Sequence, residues 1–473
     1  MRLVAFRLLE ALLFTVVIAH ARAETVVLRG GSVFDAKTGV MLPARTIVIE
    51  GERIQSITAQ SMAQIPSGAR VIDVHGKYII PGLIDAHVHL VHVLDFAHIT
   101  GDEILPLFLA NGVTSVRDTG DQVVAEKMIS RYSEAHPDLA PRIFICSPFV
   151  DGKPPFHDGD GVSWGVNDPQ EVPAFIEDMA AWGAVTVKLY VGTERPVGRK
   201  VIEEAHRRGL MVAGHLYKYS AQDAVEDGID VLEHIDSVIN YSFPRNAPHF
   251  PSAQEQEKMS PAALKHLHDQ IEESRASLDL DNPTARALID SIVKRKVKVD
   301  PTLVVSRNMI LLADLPEILQ NPDNSLMPKR LKNFWPGYGP RMTPETLELR
   351  RRQFKKYQEL TGLLFLSGVQ LLCGTDTPEP NVPPGFSMHQ ELQLLVESGM
   401  SPAGAIQAAT IHNAEALRQA DNLGSIEQGK LADLVVLNAN PLTDIRNTRK
   451  IEMVFRGGVA STPASLLAKV PSN

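Results

Sequence analysis

Between residues 82 and 375, short apolar runs alternate with helical stretches, and this alternation limits the fold more than any other feature of the 473-residue chain. Eight runs have strand character: 82–90, 113–119, 142–149, 185–191, 211–216, 231–235, 297–305 and 369–375. Apolar runs of this kind suit parallel strands covered on both faces. Helical connections fit between most of them, at 172–182, 199–208 and 221–226 for example. The alternation predicts an α/β chain with a (β/α)8 TIM-like barrel, whose reactive groups gather at the carboxyl ends of the strands. Two connections, 241–296 and 306–368, are longer than the rest and rich in Pro, Asn and charge. Long loops on the active face of a barrel form substrate lids. The aromatic segment 334–339, Phe-Trp-Pro-Gly-Tyr-Gly, is the part of them expected against substrate.

The two chain ends read differently. Short alternating strands and turns fill 25–73, and matching pieces recur at 433–438 and 451–456. Neither end closes a core alone, so both are expected to build one small β-sandwich. The implied division is a leader at 1–23, the first part of the sandwich at 24–80, the barrel at 81–424, and the second part with the tail at 425–473. The leader has Arg2 and Arg7, an apolar stretch from Leu8 through Ala19, and Ala21-Arg22-Ala23. That is the layout of a cleaved signal peptide, which predicts an exported protein, periplasmic or secreted, with no membrane association after cleavage.

A net charge of −9 implies no broad basic surface, so nucleic acid is not an expected partner. The basic runs at 350–352 and 355–356 read as a solvated helix face. Only Cys146 and Cys373 are present, too few for a disulfide framework, and Cys373 is expected as a buried thiol.

The chemistry concentrates at strand ends. His87 and His89 close the first apolar run, two residues apart and therefore on one side of a strand, with Asp85 below them. Lys188, His215, His234 and Asp376 close later runs. Each alone has an ordinary structural explanation: core histidine, snorkelling lysine, helix-capping aspartate. Barrel closure would bring all six together, and as a set they read as a metal site.

With these motifs the chain resembles the amidohydrolase superfamily, in its binuclear form with a carboxylated lysine. The resemblance rests on Pro-Gly-Leu-Ile-Asp-Ala-His-Val-His at 81–89, the four later strand-end residues, and the tail from Thr410 to Ala414 and Gly424 to Val436. Val187-Lys188-Leu189-Tyr190 and His215-Leu216-Tyr217 are similar to the prolidase-like and Xaa-Arg dipeptidase branch, and the wider likeness extends to imidazolonepropionase-like members.

The resemblance implies two divalent metal ions, Zn2+ being the expected pair. His87, His89 and Asp376 would hold the first and His215 and His234 the second. Lys188 would bridge them as a carbamate made with carbon dioxide, since a free ammonium would repel a cation. The implied activity is hydrolysis of a C–N bond in a small-molecule substrate, such as an N-acyl amino acid or a dipeptide-like amide, through a bridging hydroxide. Asp376 would shuttle the proton, and Tyr217 and His157 would contact substrate. A lactonase, esterase or phosphotriesterase-like activity on the same centre, and a non-catalytic metal-binding barrel, are the alternatives. A homo-oligomer is left open. His412 reads as structural, and His92, His98, His206, His249, His266, His268 and His389 as surface or packing histidines.

Overall fold

The computed structural model describes residues 24–92, 94, 97–157, 161–243, 258–311, 320–335 and 343–471. The leader expected at 1–23 and residues 336–339 of the aromatic lid segment lie outside these described residues, as does His249. No helix among the described residues is long and apolar enough to cross a membrane.

Both chain ends enter one eight-stranded sheet. Its strands are β1 (Thr25–Asp35), β2 (Val40–Glu50), β3 (Arg53–Ala59), β4 (Arg70–Asp73), β5 (Tyr78–Pro81), β15 (Leu434–Leu437), β16 (Ile451–Arg456) and β17 (Val459–Ser461). The two expected layers are thus one hydrogen-bonded sheet folded over its own core. The bend has a local cause in β1, whose register with β2 is irregular at Arg29/Gly31 and Gly31/Val33. Past these irregularities odd-numbered Val33 enters the same apolar cluster as even-numbered Val26 and Leu28. The strand also exchanges its neighbour there, from β4 at Val26–Arg29 to β5 at Ser32 and Val33.

The middle of the chain is parallel α/β. A three-stranded sheet holds β6 (Leu83–Val88), β7 (Val113–Asp118) and β8 (Arg142–Phe144). A six-stranded sheet runs in the order β10 (Ser163–Gly165), β9 (Phe149–Asp151), β11 (Thr186–Leu189), β12 (Met211–Gly214), β13 (Val231–Glu233) and β14 (Lys298–Asp300). Single bridges join the pieces. Cys146 pairs with Thr186, Val299 with Leu371 and Val88 with Thr377, all in parallel. The expected third strand ends early at Phe144, and the expected eighth, 369–375, makes ladder bonds without forming a regular strand. That segment bonds on both sides: Leu372 N–H donates to Val299 O at 2.9 Å, Ala86 N–H to Cys373 O at 3.1 Å, and His89 N–H to Thr377 O at 2.9 Å.

Packing follows strand parity. On β11, Val187 and Leu189 enter the main core against the helices, so Lys188 lies on the opposite face beside its register partner Ala213. Ala213 belongs to a small inner cluster with Ala86, Met211, Val231 and Leu372, which draws from both parallel sheets. Cys373 is a buried thiol, as expected, with Sγ 3.4 Å from Met388 Sδ. The basic run at 350–352 lies on the long helix Pro344–Leu366, where Arg350 and Arg352 pair with Glu272 and Glu273 of the helix Pro261–Ala276.

The seam between 370–377 and β6 depends on Gly374. A Cβ there would sit 2.3 Å from Asp300 Oδ2, 2.5 Å from His87 Cβ and 2.9 Å from His87 N. Backbone blocks that contact, so a methyl group cannot be accommodated by a side-chain rotation. Gly374→Ala is expected to lower the free energy of unfolding by about 2 kcal/mol or more, read from urea denaturation. An unchanged midpoint would contradict this tight approach.

Candidate metal centre

Two of the six strand-end residues sit on unusual backbone. His87 lies on β6 and Lys188 on β11, while His89 and His215 follow their strands by one residue. His234 and Asp376 are turned further, by backbone in the left-handed region at φ 61° and 62°. Thr302, at φ 43°, is a third such position and a β-branched one, a conformation that persists only where surrounding contacts enforce it. All three converge: Thr302 Oγ1 is 2.7 Å from His234 Nδ1, and His234 Nδ1 is 3.8 Å from Asp376 Oδ2.

Asp376 is the meeting point. Its Oδ1 lies 3.1 Å from His89 Nε2 and 3.5 Å from His87 Nε2. The His87 and His234 ring centroids are 4.6 Å apart, and those of His234 and His215 are 4.3 Å apart. Lys188 is 1% exposed, and its charge depresses the pKa of both His87 and His234. Contacts thus join His87, His89, His215, His234 and Asp376, and Lys188 lies buried on β11 beside Ala213 of the inner face.

Protonation favours ligation. Burial, with Lys188 adding to it, pushes His87 down to about 4, leaving a neutral imidazole near pH 7. Burial likewise lowers His89 and His234. For Asp376 burial acts upward, but His87, His89 and His234 outweigh it and hold the carboxyl well below the usual range, ionised. Lys188 is lowered by burial first and by Arg117, against the opposing pull of Glu233 and Asp376. Lowering of this kind favours the neutral amine, the form that reacts with carbon dioxide.

Sequence reasoning missed the residues that orient this set. Glu233, fully buried, accepts from His87 Nδ1 at 2.9 Å and from Arg117 Nη2. Arg117 Nε donates to Ala86 O, which ties β7 to β6 beneath the site. Asp300 Oδ1 accepts from Gly374 N at 2.9 Å, and Asp85 accepts from the Thr375 N–H and hydroxyl at 3.0 and 2.8 Å. Burial raises Asp300, and raises Asp85 to about 7. A signal existed for these groups: Asp85, already placed below the His pair, and Arg117, Glu233 and Asp300 are charged residues inside runs of strand character.

His92, read as a surface or packing histidine, is buried beside His89, with ring centroids 4.8 Å apart. Its Nδ1 is 3.1 Å from Asp121, whose carboxylate also accepts the Val91 and His92 N–H groups. His389 is buried too, with Nδ1 3.0 Å from the Thr448 hydroxyl. His412 closes a π-helical turn, Ala408–His412, with Nδ1 3.1 Å from Leu371 O, a structural tie.

The two expected substrate contacts lie along one side. Tyr217 has its ring centroid 5.3 Å from that of His215, and its hydroxyl donates to Asp236 at 2.7 Å. His157 stands 5.7 Å from His92 and 5.8 Å from Tyr190, ring to ring. Tyr190 stacks on Phe149 at 4.2 Å and abuts His215 at 5.6 Å, so an aromatic wall joins His157 to the histidine cluster. Trp335, in the lid segment, is buried and donates from Nε1 to Pro378 O at 3.1 Å.

The donor set fits divalent metal. Buried His87 Nε2 and His215 Nε2 have no hydrogen-bond partner among the described residues. With Nδ1 of His87 on Glu233 and Nδ1 of His234 on Thr302, the Nε2 atoms are left as the ligating lone pairs. One ligand atom each from His87, His234 and Asp376 lies within 4.8 Å of the other two. A buried polar atom without a partner is costly, and a cation would remove that cost at several atoms at once.

The profile of the amidohydrolase family matches residues 78–278 and 344–460. Among curated relatives, adenine deaminase 4 of Rhizobium meliloti (strain 1021) is 32% identical over 98 residues, 21% of this chain and 16% of the relative. Ochratoxinase of Aspergillus niger is 37% identical over 97 residues, 20% of this chain and 19% of the relative. The aligned stretches thus span less than a fifth of either relative. Fold similarity extends further. The ochratoxinase structure superposes with a TM-score of 0.64 at 18% identity, covering 93% of this chain and 96% of that one. A Xaa-Pro dipeptidase with methionine bound in its active site gives 0.66 at 20% identity, covering 93% and 100%.

Glu233→Gln keeps the shape of the residue under His87 but removes the charge that balances Arg117. Affinity for divalent metal should fall about 10–100-fold, measured by competition with a chromogenic chelator. Retention of full affinity would show that His87 needs no such support.

Proposed function

Since the chain belongs to the amidohydrolase family, we propose that it is a metal-dependent hydrolase of a C–N bond outside ordinary protein backbone. The substrate class is an N-acyl amino acid or dipeptide-like amide. The observation that carries this reading is the Asp376 carboxylate, within 3.1, 3.5 and 3.8 Å of nitrogens on His89, His87 and His234. We read the two parallel sheets as one (β/α)8 barrel, supported by the bonds that segment 370–377 makes to both β14 and β6.

His87, His89 and Asp376 would hold one ion and His215 and His234 the other, with Lys188 between them as a carbamate. Zn2+ suits the imidazole and carboxylate donors. When bound, such ions acidify water and polarise a carbonyl. Asp376 then accepts the proton as the water oxygen attacks the carbonyl carbon. It delivers that proton to the departing nitrogen as the C–N bond breaks, so the products are a carboxylate and an amine. His234 and His87 stay neutral and oriented throughout, fixed by Thr302 and Glu233. Tyr217 lines the His215 side of the site, its hydroxyl held by Asp236. His157 contacts the far end of the substrate across the Phe149 and Tyr190 wall. Membership of the amidohydrolase family supports a C–N bond as the one cleaved, and the leader sequence supports an exported protein.

A panel of N-acyl amino acids, dipeptides, lactones and aryl esters, assayed with Zn2+ and bicarbonate, tests the reading. Turnover of amides supports it, and turnover of esters alone contradicts it. Asp376→Asn should fold and keep much of its metal while turnover drops by roughly 10²–10⁴-fold. A fully active variant would remove Asp376 from its role. Lys188→Ala should lose activity and regain part of it with added short carboxylic acids that replace the carbamate oxygens. Undiminished activity without them would refute the bridging lysine.

A further inference from the structure

A cavity of about 370 Å3 opens where the terminal sheet meets the start of the parallel strands. Arg53 and Arg456 of that sheet line it on one side, and Arg142, which opens β8, lines the other with Ser130 and Ser133 of the helix Val123–Ala135. None of its lining residues belongs to the histidine cluster.

The three guanidiniums are unequally matched. Arg142 pairs with Asp433 at 3.2 Å. Arg53 Nη1 donates to Gly429 O at 2.6 Å and to Asn422 Oδ1 at 3.4 Å, both neutral acceptors. Arg456, only 4% exposed, has one hydrogen bond among the described residues, from Nη2 to Ser133 Oγ at 3.3 Å. Its Nε is buried without a partner. Glu52 and Glu134 also line the cavity, but both are exposed and neither pairs with Arg456. Burial first, then Arg142, lowers the Arg456 pKa to about 10, against the upward pull of Asp433, Glu52 and Glu134. A buried planar fork of donors matches a planar or tetrahedral oxyanion, which can accept two N–H bonds at once.

We propose that this cavity is a binding site for a small oxyanion, held by Arg456 at its floor with Arg142 beside it. Arg53 closes the rim. The ligand bridges the terminal sheet to the parallel strands, so its binding stabilises the docking of the two layers by mass action. This inference stands apart from the hydrolase reading and does not depend on it.

Thermal unfolding of the full, metal-loaded chain tests it, with inorganic phosphate or acetate titrated against chloride at matched ionic strength. The melting temperature should rise saturably with phosphate, with acetate, or with both. Phosphate alone assigns a phosphate-type ligand and acetate alone a carboxylate. The same titration on Arg456→Met separates this cavity from anion binding at the metal centre: the shift should vanish, while hydrolytic activity stays at the wild-type level. Equal shifts in wild type and Arg456→Met, or no shift with either anion, would overturn the proposal. If Arg456→Met does not fold, the exposed Arg53→Gln decides. It should move the titration midpoint to several-fold higher anion concentration, and an unmoved midpoint overturns the site.

Discussion

The structure turns on the backbone hydrogen bonds between residues 373–377 and residues 86–89. Ala86 donates to Cys373 O, Asp376 to His87 O and His89 to Thr377 O. These bonds fix the carboxylate of Asp376 against the imidazoles of a strand nearly 300 residues earlier. Gly374 permits the close approach, and the left-handed backbone at Asp376 aims the side chain back across it. Strain of this kind persists because the bonds on either side leave the segment no relaxed alternative.

Beneath this seam lies a buried layer of charge. Arg117, Glu233, Asp300 and Asp85 are all nearly inaccessible, and each is bonded to a neighbour or to backbone of the strands that carry the histidines. Breaking such a network leaves an uncompensated charge in a low-dielectric interior, so its worth lies in geometry more than in net stability. It sets the tautomer of His87 and holds β6, β7, β13 and the 370–377 segment in fixed relation.

The alternation of apolar runs and helices was enough to read parallel α/β, and the strand-end residues were enough to read the cluster. Both signals are local and periodic. The orienting groups were harder to see because they obey no period. Glu233 and His234 are adjacent, yet both serve the site, since the backbone reverses at His234 and defeats the alternation that would send one of them away. The pairing of His92 with Asp121 was not legible because the two lie on different loops, and no sequence spacing links them. The terminal sheet was legible as strands from both ends, but the two layers expected there are one sheet. The irregular register at Gly31 that folds it over carries only a Gly-Gly pair as its sign. The eighth strand was legible as apolar residues, while its irregularity comes from the turn at Asp376 and the constraints of the site.

We propose that His87, His89, Lys188, His215, His234 and Asp376 together hold divalent metal. Elemental analysis of the purified chain, after exposure to Zn2+ and bicarbonate and removal of loosely bound ions, measures this directly. About two equivalents per chain are expected, as a paired-metal centre requires. A chain that retains no divalent ion under these conditions would contradict it.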